Sequence, residues 1–427
     1  MEIIQNLIVK EKVYKEKLEN GLTVMVIPKE KFQKKYVIFG THFGSIDNEF
    51  VMPETEEIVK IPDGVAHFLE HKMFEQKNGV NSLDALSSLG VEANAYTTND
   101  HTAYLFEATD NFYEALDELM DYVQNPYFTD ENVEKEKGII GQEITMYDDH
   151  PGWQVYMNTM KCLYHNNPIK IDIAGTIESI SKINKEVLYN CYNTFYNPSN
   201  MAIVICGDFK PEEIINEVKK RLIPKISYGE IKRIYPKEDL SIAKKEIEKK
   251  MEVSNPLFMI GYKDCMPKEN IVKRHIAVEI ILELLLGDSS ALYKELYDSG
   301  NLISEPDLDY EFSKEYSHVL ISGQSKDPKI LVAKLKNKVE ELVKQGIQNE
   351  EFEMIKKKIY GKYIIEYNSV SEIARMFLSD YFKGINSFEY LENYNSVTIE
   401  YTKQVLKGIF KEENMVMSIV RGEDSTI

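Results

Sequence analysis

A faint internal duplication is the feature that most limits how this chain can fold. Phe128-Thr129-Asp130-Glu131 reads as the opening of a long helix, and the apolar run Asn200-Met201-Ala202-Ile203-Val204-Ile205 reads as a strand ending near Gly207. The same two signals return in the same order, with Ile347-Gln348-Asn349-Glu350 opening a helix and Asn414-Met415-Val416-Met417-Ser418-Ile419 forming a strand that ends near Gly422. A pattern repeated in order predicts two like-built domains, and 427 residues suit two cores of about two hundred residues each. Strand candidates at Leu22 to Ile27 and Lys34 to Gly40 alternate with helical stretches such as Leu116 to Tyr122. The expected class is therefore α+β, two tandem homologous domains, each a largely antiparallel sheet packed with helices. From about Pro224 to Lys250 the composition shifts to Lys, Glu and Pro, which places the domains at 1–225 and 246–427 with a linker at 226–245.

The two halves differ in chemistry. The first contains His67-Phe68-Leu69-Glu70-His71, two imidazoles four residues apart with a carboxylate between them. On a helix that spacing puts both rings on one face, within about 6 Å at Cβ, close enough to chelate one ion. A core helix gains nothing from an ionised glutamate in such a place, because burying an unpaired charge is costly. The order H-x-x-E-H is that of a hydrolytic zinc centre, with Glu70 placed to reach a water. Two histidines leave a catalytic zinc one protein ligand short. The stretch Asn132 to Met146 has apolar residues at 133, 139, 140, 144 and 146, and predicts a second helix on which Glu136 and Glu143 share one side. Aligned without gaps at the later helix, Glu136 falls opposite Ile355 and Glu143 opposite Lys362, and no H-x-x-E-H occurs there. Ala277 to Leu286 keeps the look of a buried helix without ligands. One half is expected to carry chemistry and the other to scaffold.

At this point the chain resembles the pitrilysin–insulysin family of zinc peptidases, the inverzincins. The likeness rests on His67, Glu70, His71 and Glu143, on Gly64-Val65-Ala66 before the motif, and on Gly90 to Thr98 with Asp100, Thr102 and Tyr104. It continues through Tyr196 to Met201 and Gly207-Asp208, and its wording is nearest to bacterial relatives of mitochondrial processing peptidase. The resemblance implies one Zn2+ per chain held by His67, His71 and Glu143, with Glu70 as general base and Glu136 in support. It implies that each chain is half of a clamshell closing on unfolded peptides, and that the strand Ala93-Asn94-Ala95-Tyr96 binds substrate by strand addition. One departure stands out. The family's second half usually carries an arginine and, seven residues on, a tyrosine after a Leu-Phe-x-x-Leu pattern. Here Leu292-Tyr293-Lys294-Glu295-Leu296 fits the lead-in, but Tyr297 takes the arginine position, Arg274, Arg375 and Arg421 lie elsewhere, and Tyr310 cannot replace the pair. The expectation is a heterodimer whose paralogous partner supplies the Arg-Tyr clamp, or else a homodimer. A maturation protease dedicated to one modified peptide and a non-catalytic structural subunit are the alternatives.

Composition narrows the partners. A formal charge of −19 argues against a nucleic-acid groove, which depends on clustered Lys and Arg. The cysteines Cys162, Cys191, Cys206 and Cys265 are scattered, which predicts reduced core thiols. The opening residues lack a basic n-region with a long apolar h-region, and no stretch approaches a membrane span, so a cytoplasmic location without membrane contact is expected.

Overall fold

Residues 1–264 and 270–422 are described by a computed structural model of the chain. Two units emerge, one formed by Met1–Ile144, Asp172–Tyr235 and Ile364–Phe388, the other by Thr145–Ile171, Pro236–Tyr363 and Glu389–Ile427.

In the first unit the strands are β1 (Glu2–Asn6), β2 (Glu11–Lys17), β3 (Thr23–Pro28), β4 (Lys35–Thr41), β5 (Glu49–Val51), β6 (Ile58–Lys60), β7 (Glu92–Thr97), β8 (Thr102–Ala108) and β9 (Met201–Gly207). β5 and β6 form a separate hairpin. The other seven make one sheet in the order β1-β2-β3-β9-β4-β8-β7, antiparallel throughout except for the parallel pair β3 and β9. β9 is a continuous apolar run because it lies inside the sheet with both faces covered, and every one of its residues is buried. β7 is an edge strand, paired only with β8 among the described residues. Strand alternation gives the sheet two distinct faces. Val37, Phe39, Tyr104, Phe106, Ala93 and Ala95 point into the core beneath helix Val65–Met73. The other face, with Tyr36, Ile38 and Gly40 on β4, is covered by helix Val370–Lys383. Gly40 lets that helix settle closely, since a Cβ there would lie 2.8 Å from Leu378.

The second unit has β10 (Glu246–Lys250), β11 (Leu257–Lys263), β12 (Asp307–Phe312), β13 (Ser317–Gln324) and β14 (Met415–Arg421), in the order β10-β14-β11-β13-β12. Again one pair, β10 and β14, is parallel and the rest antiparallel. Helix Ile271–Leu286 is apolar nearly all round and buried, as Ala277 to Leu286 suggested. Helix Pro151–Leu163 packs on β11 and β14, and Gly261 makes room for Thr159 and Leu163. Each sheet is thus covered on one face by a helix drawn from the other half of the chain.

The α+β class and its two like-built halves are as expected. One detail of the periodicity is corrected. Ile139 and Met146 are exposed, while Val133, Ile140 and Ile144 are buried. At about 100° per residue the first two lie well off the buried stripe of helix Asp130–Asp148. Cys162, Cys191 and Cys206 are free and buried, and Cys265 lies outside the described residues. No described helix is long and apolar enough to cross a membrane.

Candidate metal centre

The helix that carries His67 and His71 is fixed at its start by backbone, not by a capping side chain. Gly64, its N-cap, sits at φ +91°, and a Cβ there would meet the Ala174 carbonyl oxygen at 2.4 Å. Gly175 at φ +78° makes the reciprocal approach to Asp63. Only glycine accepts both the left-handed backbone and the contact. From that anchor Val65, Ala66, Phe68, Leu69 and Met73 turn into the core. The two histidines are left facing helix Asp130–Asp148, their ring centroids 4.5 Å apart.

Glu143 closes the group. Its Oε1 lies 3.6 Å from His67 Nε2 and its Oε2 3.6 Å from His71 Nε2. Those separations are too long for hydrogen bonds. They suit ligands sharing one tetrahedral ion, for which bonds of about 2.0–2.2 Å put neighbouring donors a little over 3 Å apart. Among the described residues this is the one set of three His, Cys, Asp or Glu side chains whose donor atoms all lie within 4.8 Å of one another. Burial, reinforced by the neighbouring His71, pushes His67 down to about 3, so its ring is neutral and its lone pair available. Burial likewise pushes Glu143 up, with Asp172 and Glu136 adding to it and His71 opposing. Two imidazoles and one carboxylate form a donor set that zinc accepts.

Glu70 is 7 % exposed and stands beside this group, outside the three donors. Thr97 Oγ1 donates to its Oε2 at 2.5 Å. Burial raises the pKa of Glu70, with the Thr97 bond working against that rise. Glu136 sits behind His71, its Oε1 3.1 Å from His71 Nδ1 and its Oε2 3.4 Å from Lys72 Nζ. Lys72 is only 1 % exposed and also pairs with Glu75. Burial disfavours the charge on Glu136, but His71 and Lys72 outweigh it and hold the carboxyl below its ordinary range. Burial similarly opposes a proton on His71, and the Glu136 bond with the charges of Glu70 and Glu143 overcomes it. Neither Lys72 nor the bond from Thr97 to Glu70 is among the expectations from sequence, although Thr97 lies in the run that carries the resemblance. The only signal for them is position, since one follows the second histidine directly and the other ends the strand beneath the helix.

Ala93, Asn94, Ala95 and Tyr96 lie on edge strand β7. Ala93 and Ala95 share the face of Thr97, toward the histidine helix, while Asn94 and Tyr96 point to the opposite face. Asn94 Oδ1 accepts the Ala95 N–H at 2.9 Å. Tyr297 is exposed and stacked on Tyr293. Tyr310 is buried and donates to Asp264, which also binds Arg274.

Comparison with known proteins identifies the family. Residues 59–177 match the model for Insulinase (Peptidase family M16), and residues 182–359 match that for the Peptidase M16 inactive domain. The chain is 41 % identical over 406 residues to the zinc protease YmfH of Bacillus subtilis, itself uncharacterised, covering 93 % of this chain and 94 % of that one. A crystal structure described as an M16-like peptidase from Alicyclobacillus acidocaldarius superposes with a TM-score of 0.92 at 33 % identity, over 96 % of this chain and 98 % of the other. A shorter match, 31 % identical over 169 residues, is to a probable β subunit of mitochondrial-processing peptidase from Arabidopsis thaliana, covering 39 % of this chain and 32 % of that protein. The chain belongs to peptidase family M16, the pitrilysin–insulysin zinc peptidases.

Proposed function

We propose that this chain is a zinc-dependent endopeptidase that hydrolyses unfolded peptides, with one Zn2+ held by His67, His71 and Glu143. The observation that carries the reading is the pair of 3.6 Å separations between Glu143 and the two imidazoles, with Glu70 alongside. A zinc ion in that place supplies Lewis acidity, making water more acidic and polarising a peptide carbonyl. Glu70, held by Thr97, takes a proton from the attacking water and returns it to the leaving amine. Glu136 holds His71 by its Nδ1 and so keeps Nε2 turned toward Glu143. The free edge of β7, Ala93 to Tyr96, takes the peptide as an added strand and lays its main chain beside the histidine helix.

Retention of Glu70 together with its Thr97 partner favours a working enzyme over a structural subunit. Glu70→Gln is expected to keep zinc and lose turnover, whereas His71→Ala loses both. Metal analysis of the two purified variants, beside a peptide-cleavage assay, tests this; a Glu70→Gln chain that cleaves at the parent rate removes the assigned base. The clamp expected in the second half is missing, because Tyr297 stands where the arginine belongs, and this supports a closed chamber made with a paralogous partner that brings the Arg-Tyr pair. Purification from the native host tests the point: a paralogue at equal amount supports it, and full activity of this chain by itself sinks it and leaves the homodimer.

A further inference from the structure

The chain has five arginines, and four of them are spent on ion pairs. Arg221 binds Asp117, Arg233 binds Asp47, Arg274 binds Asp264 and Arg421 binds Glu248. Arg375, on helix Val370–Lys383, joins no ion pair among the described residues. Its guanidinium lies 5.7 Å from the ring centre of Tyr36 on β4 and 5.4 Å from that of Tyr96 on edge strand β7. Ring faces hold a guanidinium without neutralising it. On this face the strand register places Ala103 beside both Gly40 and Tyr96, and Leu105 beside both Ile38 and Asn94. Tyr96 is itself held, with His101 Nε2 3.4 Å from its hydroxyl and Asp100 Oδ1 2.6 Å from the other ring nitrogen. Of the nearby carboxylates, Glu107 is already paired with Lys34, Glu92 stands opposite Glu107 and also faces Lys34, and Glu372 lies a turn back on the helix, exposed.

From this we infer that Arg375 is a specificity-determining residue that favours an acidic substrate side chain on the face of β7 away from the metal centre. The inference rests on the proposed strand-addition peptidase. A strand added to β7 lies about 4.8 Å from it and sends alternate side chains to opposite faces. Residues of one parity face the histidine helix. Those of the other stand beside Asn94 and Tyr96, on the face where Arg375 lies over the Tyr96 ring. An attraction between unit charges in partly screened surroundings there amounts to a preference of about fivefold.

The test uses the zinc-loaded Glu70→Gln chain and a set of neutral dye-labelled peptides in which Glu replaces Gln at one position at a time, read by fluorescence anisotropy. At one position, or at two positions of the same parity, the Glu peptide is expected to bind about fivefold tighter than its Gln twin. Arg375→Met is expected to abolish that ratio and Arg375→Lys to keep most of it. Should Arg375→Met fail to fold, salt takes its place, because the ratio must then collapse as ionic strength rises. Equal binding of Glu and Gln peptides at every position overturns the inference, as does a ratio that survives in Arg375→Met. Cleavage of the all-Gln peptide by the parent chain reports separately on the peptidase reading.

Discussion

In the proposed function Glu136 serves the metal centre without touching it. One oxygen faces His71 Nδ1 and the other faces the buried Lys72 ammonium, so the carboxylate is charged, fixed and unable to swing away. Glu136→Gln keeps a partner for the ring but gives up the charge that balances Lys72. Zinc affinity is expected to fall by about 10- to 100-fold, measured by chelator competition. The placing of His67 and His71 on one face was legible in the sequence, because helix geometry puts residues four apart together, whereas Glu143 was singled out by the resemblance to the zinc peptidases. The contacts of Lys72 with Glu136 and of Thr97 with Glu70 were not legible, since each joins two different elements. A half-buried cation is open to a stability test. Lys225 Nζ sits 3.1 Å from the Tyr192 hydroxyl and over the Tyr192 ring, and burial pushes its pKa down to about 8 from 10.5. The unfolded chain therefore holds that proton more tightly, so the penalty is full at neutral pH and is relieved between about pH 8 and 10.5. Relative to Lys225→Met, the parent is expected to gain about 1–2 kcal/mol across that window, after allowance for partial exposure. Urea midpoints of both proteins at pH 7 and 10.5 check it.

Among elements, the histidine helix depends most on a single backbone position. Gly64→Ala adds a methyl 2.4 Å from the Ala174 carbonyl oxygen and forces a side chain into φ +91°. A loss of at least about 3 kcal/mol is expected, in the range of strain and overpacking together, together with weaker zinc binding because His67 follows within one turn. Chemical denaturation and metal content measured on the same preparation check both. In the second half, the i, i+4 pair Glu279 and Glu283 occupies a buried helix, and Glu283 accepts from Lys358 and Lys362 at 2.8 Å each. Lys362 is the residue that aligned opposite Glu143. There the charges are inverted, and a tethered ammonium supplies the positive charge. Helices and strands were largely legible because their apolar periods are strong. The sheet that helices Pro151–Leu163 and Val370–Lys383 would cover was not, because an amphipathic face declares that it needs a partner and leaves open which one. On edge strand β7 the Asn94 side chain takes the Ala95 amide, a local contact that periodicity cannot show.

For the molecule as a whole, the duplication is expressed in strand order. β3-β9-β4-β8-β7 and β10-β14-β11-β13-β12 follow the same path, each with its one parallel pair. The candidate metal centre lies with the first sheet, where the histidine helix, Glu143 and edge strand β7 belong. The second sheet has the same frame without the donors, in keeping with the match of residues 182–359 to a domain described as inactive. The exchange of covering helices carries a consequence for any attempt to divide the protein. A polypeptide ending before β10 would leave β4 and β9 bare on one side, and the remainder would start life with β11 and β14 equally uncovered. The two pieces would be interdependent from synthesis onward, each insoluble or protease-sensitive until it met its complement. The duplicated halves are therefore one inheritable unit, and recombination within the gene can shuffle them only as a pair.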